Sequence, residues 1–157
     1  MSSTMTVVTE DDELVGLWDD SAYGYGAMES STLALLPDGT GWGTWENAAG
    51  GAELVDLTWS RIGPDVFSVH ELQIVSGCWD PERPGTILYE DAPSALADVT
   101  QVRYELVDEA PFMASEPVLV LRLDQPLMFA RAYALSRRVV TPEDRPVARD
   151  AGYDQQR

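Results

Sequence analysis

Apolar and polar positions along this chain alternate with a period of two, in short runs separated by glycine, proline, aspartate and asparagine. Leu14-Val15-Gly16-Leu17-Trp18 opens the series, with Leu14 and Trp18 on one face of an extended chain and Val15 and Leu17 on the other. Residues 31–36 and 42–46 flank Pro37-Asp38-Gly39-Thr40-Gly41, which predicts strand, Asp-Gly turn, strand. Ala49-Gly50-Gly51 turns the chain into 54–61, where Val55, Leu57 and Trp59 share a face, and Gly63-Pro64-Asp65 turns it again into 66–75. Asp80-Pro81-Glu82-Arg83-Pro84-Gly85 is a break before a short strand at 86–90, and 92–98 reads as one helical turn or a loop. Thr100, Val102, Tyr104 and Leu106 then alternate with Gln101, Arg103 and Glu105, the pattern of a half-buried strand. A last pair, 117–123 and 127–138, surrounds Asp124-Gln125-Pro126.

About eight or nine such strands with no long amphipathic helix between them predict an all-β fold, a single antiparallel up-and-down β-barrel. The expected organisation is an acidic leader at 1–13, a barrel domain at 14–138 and a polar tail at 139–157, where a short helix packed on the barrel stays open. Gly16-x-Trp18 resembles the N-terminal signature of the calycins, the lipocalins, fatty-acid-binding proteins and their bacterial lipocalin-like relatives. The resemblance implies that Trp18 closes one end of the barrel and that Arg137 or Arg138, near the end of the last strand, lies over its indole. Tyr23-Gly24-Tyr25-Gly26 reads as a bend and departs from the helical lid that fatty-acid-binding proteins carry there.

Composition narrows the function. The 157 residues suffice for one core, and no apolar run approaches a membrane span. Ten basic residues against 27 acidic ones give a net charge of −17, every basic residue is an arginine, and the first is Arg61. Chemistry that needs a lysine is excluded, and binding to nucleic acid or to an anionic membrane is not expected. The lone cysteine, Cys78, excludes an internal disulfide. With no basic and apolar leader at the N-terminus, the expected location is the cytoplasm.

Arg131-Ala132-Tyr133 resembles the Arg-x-Tyr that holds a ligand carboxylate in fatty-acid-binding proteins. A turn at 124–126 would put Leu119, Leu121 and Leu123 on the face of Phe129, Arg131 and Tyr133 and make Arg131 internal. With Pro126 at the first turn position, those leucines match Met128, Ala130 and Ala132 instead, and Arg131 lies outside. Trp42, Trp59 and Tyr104 are candidate walls of a ligand cavity, and Trp18, Arg137 and Arg138 its closure. His70, the only histidine, cannot by itself make a histidine metal site, and its neighbour Glu71 faces the other side of a strand.

The leading expectation is a cytoplasmic lipocalin-like barrel that binds a small hydrophobic or amphipathic molecule inside, with no metal or cofactor. An alternative is a cofactor-free cyclase or isomerase of specialised metabolism, with Tyr104, Tyr133, Arg131, His70 and Glu71 as candidate groups. A third is an acidic, inhibitor-like module for a basic protein partner. A homodimer is open through an exposed strand or the aromatic hairpin at 42–45.

Overall fold

Strands form where the two-residue period is strongest. The computed structural model describes residues 12–23, 28–111 and 116–152. The first eleven leader residues and the Gly24-Tyr25-Gly26 part of the expected bend lie outside the described residues. The strands run β1 Gly16–Asp19, β2 Glu29–Leu35, β3 Thr40–Asn47, β4 Gly51–Gly63, β5 Val66–Trp79, β6 Thr86–Tyr89, β7 Ser94–Ala95, β8 Val99–Glu109, β9 Val118–Leu127, β10 Ala130–Arg137 and β11 Val147–Asp150. Neighbours in sequence pair antiparallel from β1 to β5 and from β8 to β10, β10 pairs with β1, and β8 pairs with β5. The fold is therefore all-β, a barrel-like ring of eight antiparallel strands. β6 adds to the far end of β5, and β11 pairs with β6 in parallel, which makes the sheet mixed.

Two cores result. Inside the ring, Leu33, Leu35, Leu57, Trp59, Phe67 and Val69 meet Val102, Tyr104, Leu121, Leu123 and Tyr133, all buried. Each large apolar side chain removed from water here contributes about 1.5–3 kcal/mol. Outside it, Ala34, Leu36, Trp42, Leu54 and Val75 on the outer faces of β2 to β5 are covered by Ile87 of β6 and by Val140. The Leu33-Ala34-Leu35-Leu36 run is buried at every position because both of its faces are covered.

Residues 139–152, from the segment expected as a polar tail, run along this outer layer. After β10 the chain passes through a 3-10 turn at Pro142–Asp144 and enters β11. Arg145 grips Asp56 on the outer face of β4 through two hydrogen bonds of 2.6 and 2.7 Å.

The last hairpin turns at neither expected place. Ala130 pairs with Leu127, so Met128 and Phe129 make the turn, and Asp124-Gln125-Pro126 stays within β9. Met128 takes a left-handed φ of 59°, unusual for a residue with a long side chain. Its side chain lies where a Cβ on Gly43 would be, so with any other residue at 43 it would have to shift.

Candidate functional site

Of the residues expected inside the ring, Trp59, Tyr104 and Tyr133 are there, packed with leucines, valines and Phe67 into a buried core. Trp59 donates its indole N–H to the Leu36 carbonyl at 3.0 Å, and Tyr133 donates its hydroxyl to the Leu127 carbonyl at 2.8 Å. Both polar handles are spent on backbone. Burial pushes the Tyr133 phenol up, above its ordinary range. Phe67 and Tyr104 meet edge to face at 5.6 Å.

One end of the ring is plugged by the residues just before β1. Trp18 is fully buried there and donates its indole N–H to the Leu14 carbonyl at 3.0 Å. Arg138 lies over its ring, 5.7 Å from guanidinium carbon to centroid, and donates to the carbonyls of Glu13 and of Val15, the latter at 3.0 Å. Arg137 points elsewhere, to Asp144 at 2.9 Å. Of the two arginines expected over the indole, the structure places Arg138 there.

Next to this closure, Asp12 accepts from Arg61 at 2.6 and 3.1 Å. Arg61 also donates to the Tyr104 hydroxyl, which donates in turn to Glu13 at 2.6 Å. Burial and the Glu13 carboxylate push the Tyr104 phenol up to about 12. Asp12 and Glu13, read from sequence as the end of a polar leader, are thus part of the plug. Burial alone would raise the Asp12 carboxyl, but Arg61 and the Leu14 N–H together hold it below its ordinary value of 3.8. A carboxylate so depressed stabilises the fold above its unfolded pKa and loses that contribution as pH falls through its folded one. Asp12→Asn is expected to cost about 1–3 kcal/mol at pH 7, because Arg61 keeps a buried N–H without its charged acceptor. Urea titrations at stepped pH should show the gap between wild type and variant constant above about pH 5 and shrinking below 3.8.

The other candidates do not converge. Arg131 is exposed and donates to the Asp124 carbonyl at 2.6 Å, beside the register break between Ala130 and Ala132. It does not join Tyr133, so the expected pair of guanidinium and phenol does not form. Trp42, expected as a cavity wall, pairs with Ala34 on the outer face and belongs to the second core. His70 is exposed and stands between Thr58 and Val99. Glu71 is half-buried opposite Leu57, and its carboxyl is raised by burial first and by Asp98 second. Tyr104 is committed to the plug. Among the described residues, no group of three or more His, Cys, Asp or Glu is arranged to hold a metal ion.

Beside the plugged end lies a cleft of about 580 Å³ that the sequence did not announce. The β2–β3 turn and the segment after β10 form its walls, with Val15, Leu36, Pro37, Val139 and Val140 as apolar lining and Asp38 and Arg138 as charges. Asp38 is occupied by the Thr40 hydroxyl and N–H at 2.6 and 2.9 Å, which hold its carboxyl low. Among the described residues Arg138 donates to the backbone carbonyls through Nη1, one nitrogen of a guanidinium that carries five N–H groups. The cleft is within the range of small-molecule sites, roughly 300–1,000 Å³, and has their chemistry, apolar walls with a few polar groups. No protein-family model, curated protein or solved structure matches this chain.

Proposed function

We propose that this protein binds a small, mainly apolar molecule carrying one hydrogen-bond acceptor, and that it does so in the cleft beside the plugged end rather than inside the ring. The observation that carries the reading is the contrast between the two places: inside the ring, inward-facing side chains pack together as a buried core, and beside the plugged end a cleft of about 580 Å³ with mainly apolar lining is open. Arg138 is the polar contact, positioned by Trp18 and by two backbone carbonyls. Kinship with the lipocalin-like proteins is part of the proposal, supported by Gly16-x-Trp18 under an arginine and by the eight-stranded ring. A cytoplasmic carrier is the role that fits a lone, unpaired cysteine.

The test uses native protein, mass spectrometry of its organic extract, and titration with anilinonaphthalene sulfonate, an anionic apolar probe. Val139 is 77% exposed and lines the cleft, so Val139→Glu puts a charge in it and leaves both cores untouched. We expect probe affinity to fall on the order of tenfold or more, with an unchanged unfolding midpoint, because a carboxylate facing an apolar, anionic ligand is both desolvated and repelled. An empty extract together with a probe that binds wild type and Val139→Glu alike would remove the cleft from consideration.

A further inference from the structure

Between Val140 and Arg145 the chain after β10 is a span held at two posts. The first post is Val140, 6% exposed and packed into the second core. The second is the two-pronged ion pair of Arg145 with Asp56, whose side chains are 32% and 25% exposed. The 3-10 turn between them, Pro142–Asp144, buries none of its residues and is held by its own cap and by Arg137 at its edge. Pro142 borders open space on several sides: the cleft of about 580 Å³, a second of about 480 Å³ and a third of about 220 Å³. Leu36 is shared by the first and third, and Arg145 by the second and third. A segment with few buried contacts, bridging voids, opens locally far more readily than the sheet beneath it.

We propose that residues 141–146 are a latched lid beside the ligand cleft, with Arg145 and Asp56 as the latch. The proposal rests on the reading of that cleft as the binding site. Of the wall formed by Val139, Val140, Thr141 and Pro142, the last two belong to the span, so any swing of it changes the cleft's width directly. Arg145 and Asp56 lie outside that cleft and touch it only through the span. The latch therefore sets how fast a ligand enters and leaves without contacting it. Beyond the latch the chain is fixed again, since the Val147 N–H donates to the Gly85 carbonyl at 2.9 Å and β11 pairs with β6. The lid thus moves as a hinged loop between two anchored ends.

Arg145→Met keeps most of the apolar stem and removes the charge, and Asp56→Asn removes the other half of the pair. Amide exchange is read at Asp144 and Arg145, whose N–H groups bond to Thr141 and Pro142, with the Val147 N–H on Gly85 as the fixed end that keeps its rate. Both variants are expected to speed exchange there about tenfold while ring amides such as that of Leu33 keep the wild-type rate. Stopped-flow mixing with anilinonaphthalene sulfonate should show association and dissociation both faster by about fivefold, with a smaller change in Kd, as expected for a gate. The charge-reversed double variant, Arg145→Asp with Asp56→Arg, should bring the rates back toward wild type. Unchanged exchange in the span, or acceleration shared equally by the ring amides, overturns the lid while leaving ligand binding standing. Probe that binds neither wild type nor variant overturns the cleft as a ligand site, and the lid with it.

Discussion

Trp18→Ala is expected to lower the unfolding free energy by about 3–5 kcal/mol, the largest loss of any single side chain in this protein. Three contributions vanish together. The indole is fully buried in the ring core, so its removal leaves a cavity among Leu14, Leu33 and their neighbours. The Leu14 carbonyl loses its donor at 3.0 Å inside the plug. Arg138 loses the ring beneath it, and with it the surface that positions its remaining N–H groups. Trp18→Phe should recover part of the packing and none of the hydrogen bond, and fall between. Urea unfolding followed by far-UV circular dichroism measures both. A loss under about 1 kcal/mol for the alanine variant would mean that the plugged end collapses around the gap and that Trp18 is not its keystone. Probe binding should weaken in parallel, because the cleft wall that Arg138 forms depends on the same stack.

Gly77→Ala is the second large effect, about 1–3 kcal/mol or more, with a different signature. A Cβ on Gly77 would overlap the carbonyl oxygen and carbon of Leu88, which are backbone atoms of β6 and have no rotamer to change. The conflict is relieved only by moving β6 away from β5. That movement breaks the pairs Cys78 with Leu88 and Trp79 with Ile87, uncovers Ile87 over the second core, and takes β11 with it. The atoms nearest the added Cβ belong to Leu88 and Tyr89 of β6, not to the ring strand β4 that Gly77 also pairs with. Amides of β6 and β11 should therefore exchange faster while those of β2, β9 and β10 do not. Equal acceleration in all of them would mean that ring and outer layer unfold as one unit. Gly43→Ala is a useful contrast, because the atoms it meets belong to the flexible Met128 side chain, which can move aside at smaller cost.

The ring was legible because its evidence is periodic. Val55, Leu57 and Trp59 on β4, and Thr100, Val102, Tyr104 and Leu106 on β8, alternate as a sheet with one covered face requires, and the strands they mark pair with their neighbours in sequence. The second core was harder to see, although one signal pointed to it. Four consecutive apolar residues, Leu33 to Leu36, make sense on a strand only if both faces are covered, and that would have sent Trp42 outward with Ala34. The strands of the outer layer, β6 and β11, are four residues each, too short for a period to show; the turn-rich break before it predicts the strand at 86–90, but not its place over the second core. Met128 is a different case. Left-handed backbone usually calls for glycine, asparagine or aspartate, and Asp124-Gln125-Pro126 offered a more conventional turn. What favours Met128 is the space over Gly43 across the ring, a tertiary fact that no local rule contains. Arg131 followed from the same shift, because the register break it sits beside is set by that turn. The cleft lies between segments far apart in the chain, and nothing in either segment alone marks it.

The pairing of β1 with β10 brings the beginning of the fold to its end. Arg138 reaches back 125 residues to the Glu13 carbonyl, and Leu17 faces Arg137 across the sheet. During synthesis the ring therefore cannot close until nearly all of it has left the ribosome, and every earlier fragment leaves β1 with an unpaired edge. Contact order this high predicts folding in the range of milliseconds to seconds, slower than a helical chain of the same length. It also makes closure all or none. Truncation before β10 should yield an aggregation-prone chain rather than a smaller, stable version of the same protein.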